Sequence, residues 1–252
     1  MDFGLSQKVV LVSGASSGIG RVTALTFAAE GAHVAIGYHT NKQATEEVVT
    51  EIERQGGKAL PVRLDLRDDT SLDKGVETIL ATWGTLHVLV NNAGSFPVGG
   101  AFDAQKDGQW EAAIRINLIG PGRLIQNAIP AMRANGWGRI VNVSTIHAQT
   151  GAPGVVAHTS AKSGLHGLTK SVAREVARSG ILVNAVLPGL TLTSKMQSMR
   201  ANMPAERLNQ SLAQIPTGRG STPEDVARVI VFLGSAANGH INGELIHVTG
   251  GI

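Results

Sequence analysis

Short apolar runs alternate with longer amphipathic stretches along the whole chain. Lys8–Ser13 (KVVLVS) is the first β-rich run, and Arg21–Glu30 follows with Val22, Leu25, Phe27 and Ala28 in helical spacing. His33–Tyr38 (HVAIGY) predicts a second strand and the charged stretch Lys42–Gln55 a helix. Lys58–Arg63 and Thr70–Thr82 repeat the pair. His87–Asn91, Arg139–Ser144, Ile181–Leu187 and Leu245–Val248 supply four more strand-like runs. Unbroken Val/Ile/Leu runs suit strands covered on both faces, and their alternation with helices predicts right-handed βαβ units. The expectation is a single α/β domain over residues 1–252, a doubly wound parallel sheet of about seven strands with helices on both faces. No Pro/Ser-rich linker or internal repeat divides it. The irregular part is 188–222, with Pro188, Pro204 and Pro216 among Met196, Met199 and Met203. A segment that long, between the sixth strand and a helix starting near Pro223, predicts a substrate loop.

Composition narrows the class. Hydrophobic residues make up 42% and charged residues 16%, ample for a large core. The net charge of +3 comes without any Lys/Arg run, so nucleic-acid binding is not expected. No cysteine is present, which removes disulfides, thiolate metal sites and a thiol nucleophile. The histidines and carboxylates show no metal-ligand spacing. No apolar stretch reaches the ~18 residues of a membrane span, and Met1–Lys8 is too short and polar for a signal peptide. A cytoplasmic protein acting on a small molecule is expected.

The first strand runs into Ser13-Gly14-Ala15-Ser16-Ser17-Gly18-Ile19-Gly20, which opens the first helix. A glycine-rich strand-to-helix turn brings backbone N–H groups and the positive end of a helix close to a pyrophosphate. The spacing is GxxxGxG, and other motifs follow in order. These are Asn91-Asn92-Ala93-Gly94, Ile116-Asn117-Leu118, Pro188-Gly189 with Thr191 and Thr193, Pro223-Glu224-Asp225-Val226-Ala227, and Val248-Thr249-Gly250-Gly251. On these the chain, from Lys8 to Gly251, resembles the classical short-chain dehydrogenase/reductase family. The resemblance implies a Rossmann-like fold, oxidoreductase activity and a homo-oligomer, a dimer or tetramer. It implies that Gly14, Ser16, Ser17, Gly18, Ile19 and Gly20 cradle a dinucleotide. Asp65 and Leu66 would lie by the adenine; Asn91, Ala93, Gly94, Pro188, Gly189, Thr191 and Thr193 would complete the site.

The end of the second strand discriminates between nicotinamide cofactors. A carboxylate there binds the ribose 2′-hydroxyl of NAD and repels a 2′-phosphate. Here stand Tyr38, His39, Thr40 and Asn41, with no carboxylate until Glu46, which favours NADP(H). The arginine common in the family at this turn is missing, and Ser17 replaces a basic residue of the glycine loop.

The family's reaction uses a tyrosine and a lysine four residues apart, a serine and an asparagine. The resemblance places the lysine at Lys162, which also holds the nicotinamide ribose, and the asparagine at Asn117. The tyrosine position holds His158 and the serine position Thr145. Tyr38 is the only tyrosine in the chain, so no other can substitute. Ser144 neighbours Thr145 but points to the opposite face of a strand, and His147 is a further polar group near the mouth. Three readings stay open. His158 donates a proton; hydride moves without a protein acid, as to an iminium ion; or the chain binds dinucleotide without redox chemistry, as a binding subunit or a non-redox lyase or isomerase.

Overall fold

The computed structural model describes residues 2–95, 100–104, 108–194, 196, 198, 210 and 212–252. Strand β1 (Val9–Val12) leads through α1 (Gly18–Ala29) to β2 (His33–Tyr38), then through α2 (Lys42–Arg54) to β3 (Lys58–Arg63). Helix α3 (Asp69–Trp83) precedes β4 (Val88–Asn91); α4 (Gln109–Ile114) and α5 (Gly120–Ala134) precede β5 (Gly138–Val143). The short α6 (His147–Thr150) and the long α7 (Val156–Val176) lead to β6 (Ile181–Pro188), and α8 (Pro223–Leu233) precedes β7 (Leu245–Val248). Each predicted strand is present within one residue at either end. The first helix starts three residues earlier than its apolar spacing suggested, because Gly18–Gly20 already belong to it.

The seven strands form one parallel sheet in the order β3-β2-β1-β4-β5-β6-β7. The winding direction reverses between β1 and β4, and a crevice opens where chains leaving these strands turn to opposite faces. Successive residues of each strand bury on opposite sides. Val10, Val12, Val34 and Ile36 pack with Phe27 of α1 and Val226 and Ile230 of α8. Val9, Leu11, Leu89 and Ile140 pack with Leu72 and Val76 of α3 and Leu124 and Ile125 of α5. Both faces need apolar residues, which is why these strands are unbroken Val/Ile/Leu runs and do not alternate. On α7, Ala173 and Val176 are buried in this second layer, with Leu168 and Val172 against it, and Leu165 is fully buried. That stripe faces its own sheet.

Two polar features cross the core. The β4–β5 register sets Asn91 beside Asn142, and a ladder runs from Asn91 Nδ2 to Asn142 Oδ1 (2.9 Å) and from Asn142 Nδ2 to Thr169 Oγ1 (2.9 Å). Between α4 and α5, residues Arg115–Ile119 form one wide π-type turn. Such a turn inserts a residue into a helix and re-aims its side chains. Asn117, fully buried, is the residue re-aimed. Among the described residues no helix is long and apolar enough to cross a membrane, and no cluster of His, Asp or Glu could hold a metal ion.

Candidate active site

The crevice is a cleft of about 640 Å3 at the C-terminal ends of β1, β2, β3 and β4. Its floor is the turn after β1. The Ser13 hydroxyl donates to Val90 O (3.2 Å) and accepts the backbone N–H groups of Asn92 and Ala93 (3.0 Å each). Asn92 returns the tie, its amide donating to Ser13 O (2.9 Å) and Gly14 O (3.2 Å). Gly14 has φ +66°, and a Cβ on it would lie 2.9 Å from Ala93 Cα, so only glycine lets the two loops close together. Gly20 lies beneath the turn, where a Cβ would strike Asn92 Nδ2 and Gly14 O.

Helix α1 begins at this floor without a side-chain cap; the Ser17 side chain takes none of its N–H groups. By contrast Asn41, Asp68 and Thr222 cap α2, α3 and α8. An uncapped helix start facing a cleft leaves backbone donors for an anion. The cradle thus fits the pyrophosphate of a dinucleotide.

Of the residues assigned to the cofactor from sequence, Gly14, Ser16, Ser17, Gly18 and Ile19 line the floor. Tyr38, His39, Thr40, Asn41, Asp65 and Leu66 line one end, and Ala93, Gly94 and Thr193 the other. Thr193 closes over the turn: a Cβ on Gly18 would lie 3.4 Å from its Cγ2. The Asn91 side chain lies in the core ladder, away from the cleft. Pro188 and Gly189 join strand ends, Pro188 O accepting Ile146 N–H and Gly189 N–H donating to Val248 O (3.0 Å each). Thr191 is buried in a bridge to Ser221. Within 188–222, Met199, Met203 and Pro204 lie outside the described residues.

Three of the four side chains assigned to catalysis, Asn117, His158 and Lys162, gather behind the loop after β4. Ser95 is the hub. Its carbonyl accepts from Asn117 Nδ2 (3.0 Å) and pairs with His158 Nδ1 (3.0 Å), while its N–H donates to Asn117 Oδ1 (3.2 Å). Asn117 Nδ2 also donates to Ala113 O (3.0 Å), which fixes the amide in the wide turn. Lys162, one helical turn beyond His158, is buried and donates to Val143 O at 2.7 Å. A Cβ on Gly94 would lie 2.8 Å from Asn117 Oδ1 and 3.6 Å from Lys162 Nζ, so this glycine brings the two together. Thr145 follows β5, half-buried, its hydroxyl accepting His147 N–H at 3.3 Å. Ser144 turns the other way, to His166 Nε2 at 2.8 Å.

A carbonyl can only accept, so His158 carries its proton on Nδ1, and Nε2 is the acceptor nitrogen of the neutral ring. Burial pushes this imidazole down to about 4, and the Lys162 ammonium beside it adds to the shift; the Ser95 hydrogen bond opposes them. At pH 7 only about one ring in a thousand is then an imidazolium. Burial also pushes the Lys162 ammonium down to about 8. The site therefore holds a neutral imidazole that accepts a proton and an ammonium that can part with one.

Four residues that motif reading passed over matter here. Ser13 and Asn92 stood inside recognised motifs, but their clamp on the turn needs the β1–β4 adjacency. Ser95 follows such a motif with nothing in the sequence to mark it. Arg67 lines the cleft two residues after Asp65.

A family model described as Enoyl-(Acyl carrier protein) reductase matches residues 14–252. The chain is 38% identical over 248 residues to a 3-oxoacyl-(acyl-carrier-protein) reductase of Thermotoga maritima, covering 98% of each. It is also 38% identical over 253 residues to the reductase of that name from Aquifex aeolicus, covering 100% of each. A 3-oxoacyl (acyl-carrier-protein) reductase structure from Agrobacterium tumefaciens with NADP bound superposes with a TM-score of 0.93 at 30% identity, covering 100% of this chain and 96% of that one. A putative NAD(P)-dependent gluconate 5-dehydrogenase from Beutenbergia cavernae, with bound NADP, gives 0.91 at 36%, covering 99% and 98%.

Proposed function

Because the chain belongs to the short-chain dehydrogenase/reductase family and is an oxidoreductase of it, we propose that it moves hydride between NADP(H) and a small carbonyl, alcohol or imine. The observation that carries this reading is the pairing of a fitted dinucleotide cradle with the Ser95 hub, where Asn117 and His158 meet beside Lys162. The bound nicotinamide would supply or take the hydride.

The residues of this chain handle the proton. In alcohol oxidation, His158 Nε2 takes the hydroxyl proton as hydride leaves the carbinol carbon. Its fixed Nδ1–H keeps the ring in the tautomer that can do so. Thr145 offers a hydroxyl to the substrate oxygen, and Asn117 holds the Ser95 carbonyl that orients the ring. Lys162 carries a proton that is easily lost for a lysine and holds the nicotinamide ribose. In ketone reduction the one proton of the neutral imidazole is held on Nδ1 by the Ser95 carbonyl and Nε2 has none to give, so reduction of a preformed iminium ion, which needs none, is the second reading; the depressed His158 favours it. The relatives' names make a 3-oxoacyl thioester the first ketone to test. The 188–222 segment, whose Thr193 and Ser194 reach the cleft, serves as the substrate loop of a single cytoplasmic domain.

The test is NADPH oxidation with a 3-oxoacyl thioester, a simple ketone and a cyclic iminium ion, and NADP+ reduction with the matching alcohols. Turnover of at least one pair supports the proposal. Tight NADPH binding without turnover in either direction contradicts it and returns the chain to the non-redox alternatives.

A further inference from the structure

The cleft wall formed by the ends of β2 and β3 carries a charge cluster that the proton chemistry does not use. Just past β3, the Arg67 N–H donates to Asp65 Oδ1 (3.0 Å), and Asp65 N–H donates to Ser71 Oγ (3.0 Å), which fixes a tight turn. The Asp65 carboxylate then grips the Arg67 guanidinium as a fork, Nε to Oδ1 at 2.9 Å and Nη2 to Oδ2 at 2.8 Å. Because β2 and β3 are neighbours in register, the fork points across to β2: Arg67 Nη2 lies 3.0 Å from His39 Nε2. Arg115 of the wide turn steadies the loop, donating to Arg67 O at 3.2 Å. Among the described residues Arg67 Nη1 has no protein acceptor, and the side chain is half exposed on the cleft.

We propose that Arg67 selects a phosphate on the 2′-oxygen of the adenosine ribose, and that Asp65 is the positioning residue that aims it. This rests on the NADP(H) reading above and names the group that enforces it. The residue ending the second strand of a dinucleotide fold faces the ribose 2′-position, where an acid reads NAD and a nearby arginine accepts the extra phosphate of NADP. The sequence has no arginine at that turn, and the structure brings one from the next strand. A guanidinium with one edge spent on a carboxylate keeps its remaining N–H groups for phosphate oxygens. The charges of Asp65 and Arg67 nearly cancel, so the preference comes from orientation: both Asp65 oxygens are engaged by Arg67, Oδ2 also lying 3.2 Å from His39 Nε2, while Arg67 Nη1 remains for a ligand. Arg67 holds the Asp65 carboxyl well below the usual carboxylate range, so the fork persists at neutral pH.

Calorimetric titration with 2′,5′-ADP and 5′-AMP isolates the 2′-phosphate and needs no turnover. The parent should prefer 2′,5′-ADP by tenfold or more. Arg67→Ala should lose at least tenfold of affinity for 2′,5′-ADP while 5′-AMP stays within twofold, and Arg67→Lys should fall between. Asp65→Asn separates aim from charge. Lost aim lowers the preference, whereas simple removal of a negative charge raises it and would overturn the positioning role. A parent preference that survives Arg67→Ala overturns the role of Arg67 and leaves the NADP(H) reading standing. A parent with no preference overturns that reading itself.

Discussion

Lys162→Met should change how stability depends on pH, by an amount the structure sets. Lys162 is 4% exposed, meets one carbonyl and no carboxylate among the described residues, and is pushed from 10.5 down to about 8 by burial. A shift of that size costs the folded protein about 3 kcal/mol below pH 8, because the unfolded chain holds the proton more tightly. Between the folded and unfolded values the unfolded chain binds more protons, so stability rises with pH. From pH 7 to pH 9.5 the parent should gain about 2 kcal/mol that Lys162→Met does not. At pH 7 alone the two would differ little, since methionine strands the Val143 carbonyl at a cost of about 1–3 kcal/mol. Denaturant unfolding of both proteins at the two pH values measures the difference, and effects of other lysines cancel between them. Stability curves that run parallel from pH 7 to 9.5 would refute the buried, destabilised ammonium on which the proton chemistry relies.

The other expectations are simpler. Alcohol oxidation should rise with pH around 4 and show no inflection from His158 above pH 6, because the neutral ring is the base; a profile with an inflection near 6.5 contradicts this. His158→Ala should slow alcohol oxidation about 10²- to 10⁴-fold with NADPH binding unchanged, and barely affect iminium reduction. Light scattering should show a homo-oligomer; a monomer at micromolar concentration would contradict the assembly that the family resemblance implies.

The sheet was legible because both faces of each central strand are covered, so runs such as Val9–Val12 and Val88-Leu89-Val90 carry their signal in every residue. The cradle was legible because Gly14 and Gly18 have no substitute at positive φ. Contacts between strands distant in sequence were not. The Asn91 side chain, grouped with the cofactor from its motif, belongs to a ladder that exists only through the β4–β5 register. The Ser95 hub joins residues 22 and 63 positions away, and its carbonyl gives no sequence signal because any residue supplies one. The four-residue spacing from His158 to Lys162 already set a cation beside the imidazole, which disfavours its protonation. Burial behind Ser95 is the larger cause of the downward shift, and only packing reveals that.

The central claim is hydride transfer from the dinucleotide to the substrate carbon. NADPH carrying deuterium at either face of nicotinamide C4 should be turned over with the iminium and ketone panel, and the products weighed by mass spectrometry. The account predicts one deuterium at the former carbonyl or iminium carbon from one of the two labelled cofactors and none from the other. Product that forms without deuterium from either cofactor, with NADPH unconsumed, would contradict it.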